Sequence, residues 1–134
     1  MANVLYDKGR EGILDRTIDM TGDIRVMLVK TAYTFSAAHQ FLSDITAGND
    51  NGRTAALGSK TYASGVFDAA DTTITATAAV ACASLIVFQH TGVDATARVI
   101  AFIDTPASGL PFTPAASQVV PITWDNGANR IYKL

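Results

Sequence analysis

A single cysteine, Cys82, stands in the 134 residues, so no intrachain disulfide can form. It lies in the apolar run Val80-Ala81-Cys82-Ala83-Ser84-Leu85, where a thiol is expected as a small buried hydrophobe. Charge is scarce as well. Ten Lys and Arg against twelve Asp and Glu leave a formal net charge of -2, which provides no basic field for phosphates and excludes nucleic acid as an expected partner. Long hydrophobic runs are missing: the longest, from about Ala78 to Phe88, falls well short of the roughly 20 residues that span a bilayer. No membrane partner is expected. The first ten residues lack the apolar core of a signal peptide, so synthesis and retention in a cytoplasm are expected unless a larger assembly carries the protein out.

What is present is mostly short, strand-like and turn-punctuated. Residues 4 to 14 mix charges with Leu5, Tyr6, Ile13 and Leu14, and predict one or two helical turns weakened by Gly9 and Gly12. Ile24 to Lys30 is apolar on both alternating sets, as in a central strand covered on both faces. Ser36 offers an N-cap, and Ala38, Phe41, Leu42 and Ile45 follow at helical spacing, predicting a short amphipathic helix that closes near Gly48. Thr46 to Ser59 reads as a long surface loop. Thr72 to Ala78 alternates as a half-buried strand, and Ala83 to His90 with Arg98 to Thr105 predicts a strand pair joined through Gly92. Pro106 and Pro111 punctuate the next connection, and Pro121 within a strand-like run predicts an edge strand or a bulge. Gln118 to Asp125 and Arg130 to Leu134 predict a closing hairpin, with no tail expected after it. Together these features predict a mainly β chain: a single-domain antiparallel β-sandwich or jelly roll with one or two short helices.

The chemical motifs are near misses. Gly52 to Thr61 suggests a phosphate loop, but five residues separate Gly52 from Gly58, Ser59 precedes Lys60, and a strand-like segment follows where a helix is needed. Asn49-Asp50-Asn51-Gly52 suggests a calcium loop, yet Ala47 and Gly58 fall where the terminal carboxylates belong. Asp68 and Asp71 read as turn formers, and His39 and His90 lie in no ligand-spaced pattern. The apolar surroundings of Cys82 oppose thiolate chemistry, and Trp124 and Tyr132 are expected to pack across the last strands. No catalytic residue, metal site, cofactor or small-molecule substrate is expected.

The run Asn3-Val4-Leu5-Tyr6-Asp7-Lys8-Gly9-Arg10-Glu11-Gly12-Ile13-Leu14-Asp15, followed by Ile24 to Val29 and Tyr33 to Leu42, resembles a family of small tailed-bacteriophage virion proteins. The resemblance continues in Gly65 to Asp71, in Ile103-Asp104-Thr105 to Gly109-Leu110-Pro111, and in Ile122 to Asn129, and so covers nearly the whole chain. It implies a particle component on the capsid exterior, a decoration (cement) protein made in the host cytoplasm, whose partner is the major capsid protein. No residue-level capsid-binding motif comes with it. Residues 1 to 30 hold five bases and five acids, whereas residues 72 to 134 hold about three of each. The expected division is therefore an amino-terminal interaction segment, 1–16, and a β-sandwich body, 17–134. Leu5, Tyr6, Lys8, Arg10, Glu11 and Arg16 are the candidate contacts to capsid or to a neighbouring copy in a homotrimer at three-fold and quasi-three-fold sites. Deletion of residues 2 to 14 is expected to leave a folded body that no longer binds shells. The alternative is a tail-fibre or adsorption module using the 46–59 loop or the terminal hairpin.

Overall fold

A computed structural model of the chain describes residues 3–45, 47–104, 110–111, 113–128 and 130–134. Met1, Thr46, Thr105, Pro106, Gly109 and Asn129, which figure in the sequence expectations, lie outside the described residues.

The main sheet is antiparallel. It places β1 (Val4–Leu5), β7 (Val99–Ile103), β6 (Cys82–Gln89), β2 (Ile24–Lys30) and β3 (Asp50–Arg53) side by side in that order. Its inner strands have no polar face, because both faces are covered. Ile24, Val26, Leu28, Leu85 and Val87 point into one core layer, and Met27, Val29, Ile86 and Phe88 into another. The central position predicted for Ile24 to Lys30 is therefore found, between β6 and β3. The first layer is closed by two small ribbons, β5 (Thr72–Thr75) with β8 (Val119–Ile122) and β4 (Val66–Phe67) with β9 (Tyr132–Lys133), which contribute Ile74, Val120, Ile122, Phe67 and Tyr132. The second layer is covered by the loops carrying Tyr33, Phe35, Leu42, Ile45 and Ala97. The result is a mainly β, sandwich-like body with one α-helix, α1 (Asp7–Leu14), among the described residues.

Three expectations are corrected. The segment from Ser36 to Gly48 is not an α-helix: residues 42–44 make one 3-10 turn, and the Asp44 carboxylate accepts the Gln40 and Phe41 amides at 2.8 and 2.9 Å. Its apolar residues serve separate neighbours, Leu42 and Ile45 in the core and Phe41 bridged to Arg98. The 46–59 segment is not one long loop, because β3 pairs with β2. Asn51 is fully buried there. Its amide receives the Ala78 N–H and the Thr77 hydroxyl, and donates to the Ala78 carbonyl and the Cys82 sulfur. The terminal hairpin does not form either: β8 pairs with β5 and β9 with β4. Asp71 helps to divert the chain by accepting the Trp124 amide at 3.0 Å, while the indole N–H reaches the Ala70 carbonyl. The cross-strand aromatic pair is consequently Tyr132 on Phe67, 5.2 Å apart, with Trp124 buried separately. Pro121 does sit in an edge strand: Ala76 donates to Gln118, and ladder alternation then turns the position of its missing N–H away from β5.

Candidate functional site

The expected contact segment is woven into the body. Val4 and Leu5 pair with Phe102 and Ala101 of β7, and the Tyr6 amide donates to the Ile100 carbonyl at 3.0 Å. This bond continues the β1–β7 register by one step, and on its other side β7 bulges against β6: Val87 faces Ala101 and Phe88 faces Val99, so Ile100 is the extra residue. α1 docks on this bulge, and its two glycines mark the approach. A Cβ on Gly9 would stand 2.5 Å from the Ile100 oxygen, and one on Gly12 would stand 2.6 Å from the Ile18 side chain and 2.8 Å from Arg98 Nη2. The glycines that argued against a helix on propensity are what lets the helix lie so close.

Arg98, only 9% exposed, fastens α1 from below. Its Nη2 donates to the Lys8 carbonyl and its Nη1 to the Thr17 hydroxyl, each at 2.8 Å, and its guanidinium lies over the Phe41 ring. At the other end of the helix Asp15 accepts the amide and hydroxyl of Thr17, which hold its carboxyl below the usual range. Between them Arg16 occupies the left-handed position, φ 68°, where a helix exit usually carries glycine.

Of the six expected contact residues, Leu5 and Tyr6 face the core and are unavailable to a partner; they are 5% and 0% exposed. Lys8 is partly exposed, and Arg10, Glu11 and Arg16 are exposed on the outer side of α1 and its exit turn. Lys8 pairs with Glu11 at 2.6 Å and Arg10 with Asp7 at 3.4 Å, solvated pairs that contribute little to stability. The same face carries Leu14, 84% exposed, which sequence reading placed in the apolar set of the helix. Beside it, Ile13, Met20, Tyr62, Phe67, Tyr132 and Leu134 line an apolar groove of about 210 Å³.

Two features of this arrangement escaped the sequence reading. Alternation across Val4, Leu5 and Tyr6 signals a strand whose two faces enter different core layers. A lone arginine opening the apolar run Arg98-Val99-Ile100-Ala101-Phe102 signals a buried cation with a fixed partner. Elsewhere the motif residues take structural roles. Burial raises the Cys82 thiol, Asp68 lies 3.8 Å from Arg130, and the His90 amide donates to Asp23. Among the described residues no cluster of three metal-binding side chains occurs, and no helix is long and apolar enough to cross a membrane. No family model, curated protein or solved structure matches the chain.

Proposed function

We propose that the chain is a non-enzymatic structural protein of a tailed-phage particle, a decoration protein that binds the major capsid protein on the outside of the head and stabilises it. The proposed assembly is a homotrimer at three-fold and quasi-three-fold sites. The observation that carries this reading is the outer face of α1, where Leu14, 84% exposed, follows exposed Arg10 and Glu11 by one helical turn and precedes exposed Arg16, on a helix fastened to the sheet. An apolar anchor rimmed by charges of both signs suits a protein partner. The likeness of the sequence blocks to phage virion proteins supports the choice of partner. Because Leu5 and Tyr6 belong to the core, deletion of residues 2 to 14 is the wrong test; surface substitutions replace it.

The experiment is co-sedimentation with shells assembled from the major capsid protein, using the parent chain, Leu14→Asp, and Arg10→Glu combined with Arg16→Glu. Each variant is expected to keep its circular dichroism and to lose binding by about tenfold or more. Full binding by both variants would remove α1 from the contact. A parent chain that ignores shells and sediments with cell envelopes or tails would favour the adsorption reading. That reading leaned on the 46–59 segment, of which Asp50–Arg53 is a sheet strand, or on the terminal hairpin, whose two arms pair with other strands instead.

A further inference from the structure

Arg98, which holds α1, stands just before β7, and a cavity of about 480 Å³ opens roughly 20 Å away at the strand's other end. The volume falls within the range of small-molecule sites. Its walls come from separate elements: Lys30 ends β2, Tyr33 and Phe35 follow on the next loop, Ser84 belongs to β6, and Phe102 and Asp104 lie at the end of β7. No local sequence motif records such a set. Because β6 runs between β2 and β7, Lys30 and Asp104 bracket Ser84, their backbones roughly 9–10 Å apart.

Two polar groups there lack partners. Ser84 is 4% exposed, on the face of β6 that carries Ile86 and Phe88, and its hydroxyl makes no hydrogen bond among the described residues. Buried polar side chains are normally paired. Lys30 is half-buried, and of the described lysines and arginines buried to that degree or further it alone has no carboxylate or carbonyl partner. Lys8, Arg25, Arg53 and Arg130 hold carboxylates, while Lys60 and Arg98 hold carbonyls. Three rings stand around them, with the centre of Phe102 5.2 Å from Phe35 and 6.1 Å from Tyr33.

The chemistry of a ligand follows from this lining. An unpaired ammonium calls for an anion, and a lone lysine in a cavity shared with the Asp104 carboxylate suits one carboxylate better than a doubly charged phosphate. The Ser84 hydroxyl and a carboxylate, which accepts several hydrogen bonds, call for hydroxyls. The rings call for a face of C–H groups to cover them. We propose that the cavity binds a sugar acid, a pyranose ring whose carboxylate pairs with Lys30, whose hydroxyls meet Ser84 and Asp104, and whose C–H face lies against the aromatic wall. Such a ring and its substituents bridge the two charges once the lysine stem reaches inward. The site is separate from the outer face of α1, so it stands or falls independently of capsid binding.

The test is a titration at neutral pH, followed by amide NMR shifts, with methyl galacturonide and methyl glucuronide, each beside its neutral methyl glycoside, and with tri-galacturonate. At least one acid should move the amides of Lys30, Ser84 and Phe102 saturably at millimolar concentration. It should bind about fivefold more tightly than its neutral counterpart, the worth of a partly solvated ion pair. Lys30→Met should erase that preference, and Ser84→Ala should weaken acid and neutral sugar alike by about fivefold; neither change removes a side-chain bond that the fold uses. Lys133→Met, at an exposed lysine outside the cavity, should change nothing. Tighter binding of the trimer than of the single ring assigns the site to a polysaccharide, and equal binding to a free sugar. The absence of a saturable shift with either acid overturns the proposal, as does equal affinity for acid and neutral rings, or a preference kept by folded Lys30→Met.

Discussion

Replacing Gly9 by alanine tests whether α1 is a structural member of the sheet or a helix resting on its surface. On propensity alone the change should stabilise, since alanine is favoured over glycine in a helix interior by about 1 kcal/mol. The geometry predicts the reverse. The new methyl would lie 2.5 Å from the Ile100 oxygen and 2.9 Å from its Cα, and both belong to the bulged backbone of β7, which has no side-chain end to swing aside. Relief requires α1 to move outward, at the expense of the Tyr6 N–H to Ile100 bond and of the hold of Arg98 on the Lys8 carbonyl. Overpacking of this kind costs about 1–3 kcal/mol. Two contacts under 3 Å with backbone put this case in the upper part of that range, about 2–3 kcal/mol, so the net destabilisation after the helix gain is about 1–2 kcal/mol. With a urea slope of about 2 kcal/mol per molar, the middle of the usual range, the midpoint should fall by roughly 0.5–1 M with the slope unchanged. Gly58→Ala is the control, because a Cβ there would have no atom within 4 Å and the backbone is not left-handed; its midpoint should stay or rise slightly. A Gly9→Ala midpoint at or above that of the parent would refute the docking of α1 on the bulge.

Asn51→Ala removes the partner of the Ala78 amide, the Thr77 hydroxyl and the Ala78 carbonyl, and should cost about 2–3 kcal/mol in urea melts; a loss near zero would mean that water replaces the amide freely. Cys82 is fully buried and its thiol is raised by burial, so it should resist a thiol reagent at mildly alkaline pH until the protein unfolds, and rapid labelling of the native chain would contradict its placement. Arg53 grips Asp94 with two 2.9 Å bonds and holds its carboxyl below the usual range. A depressed carboxyl stabilises above its unfolded pKa and loses that contribution as pH falls through the folded value. Asp94→Asn should therefore cost under about 1 kcal/mol at neutral pH, because the pair is partly solvated. The gap to the parent should close in acid, and a gap that stays constant would show that the ion pair is not its source.

How much of this was legible in the residues depends on what each signal had to resist. The β2 pattern survived because Ile24 to Lys30 is apolar on both faces and nothing competes for it. Helical spacing misled at Ala38, Phe41, Leu42 and Ile45: the Asp44 carboxylate captured the amides of Gln40 and Phe41, Ala38 is exposed, Phe41 bridges to Arg98, and Leu42 and Ile45 enter the core without a helix to carry them. Gly9 and Gly12 misled in the opposite sense, since their effect is felt in packing against Ile100 and Ile18, which lie far along or outside the helix. The closing hairpin failed for a related reason: the pairings of β8 with β5 and β9 with β4 depend on distant strands that local turn residues such as Asp125 and Gly127 do not encode. Of the contact set, Arg10, Glu11 and Arg16 are exposed and Lys8 partly so. Leu5 and Tyr6 were drawn in by proximity in sequence, although alternation assigns them to the core.

A cryo-electron microscopy map of the intact particle, with the chain located by its side-chain density, tests the proposed role most directly. The decoration reading predicts copies of the body repeated over the capsid exterior at three-fold and quasi-three-fold positions, with Leu14, Arg10 and Arg16 turned toward the shell or a neighbouring copy. Density confined to the tail or to a single vertex, or a capsid-bound body whose α1 face points into solvent, would contradict it.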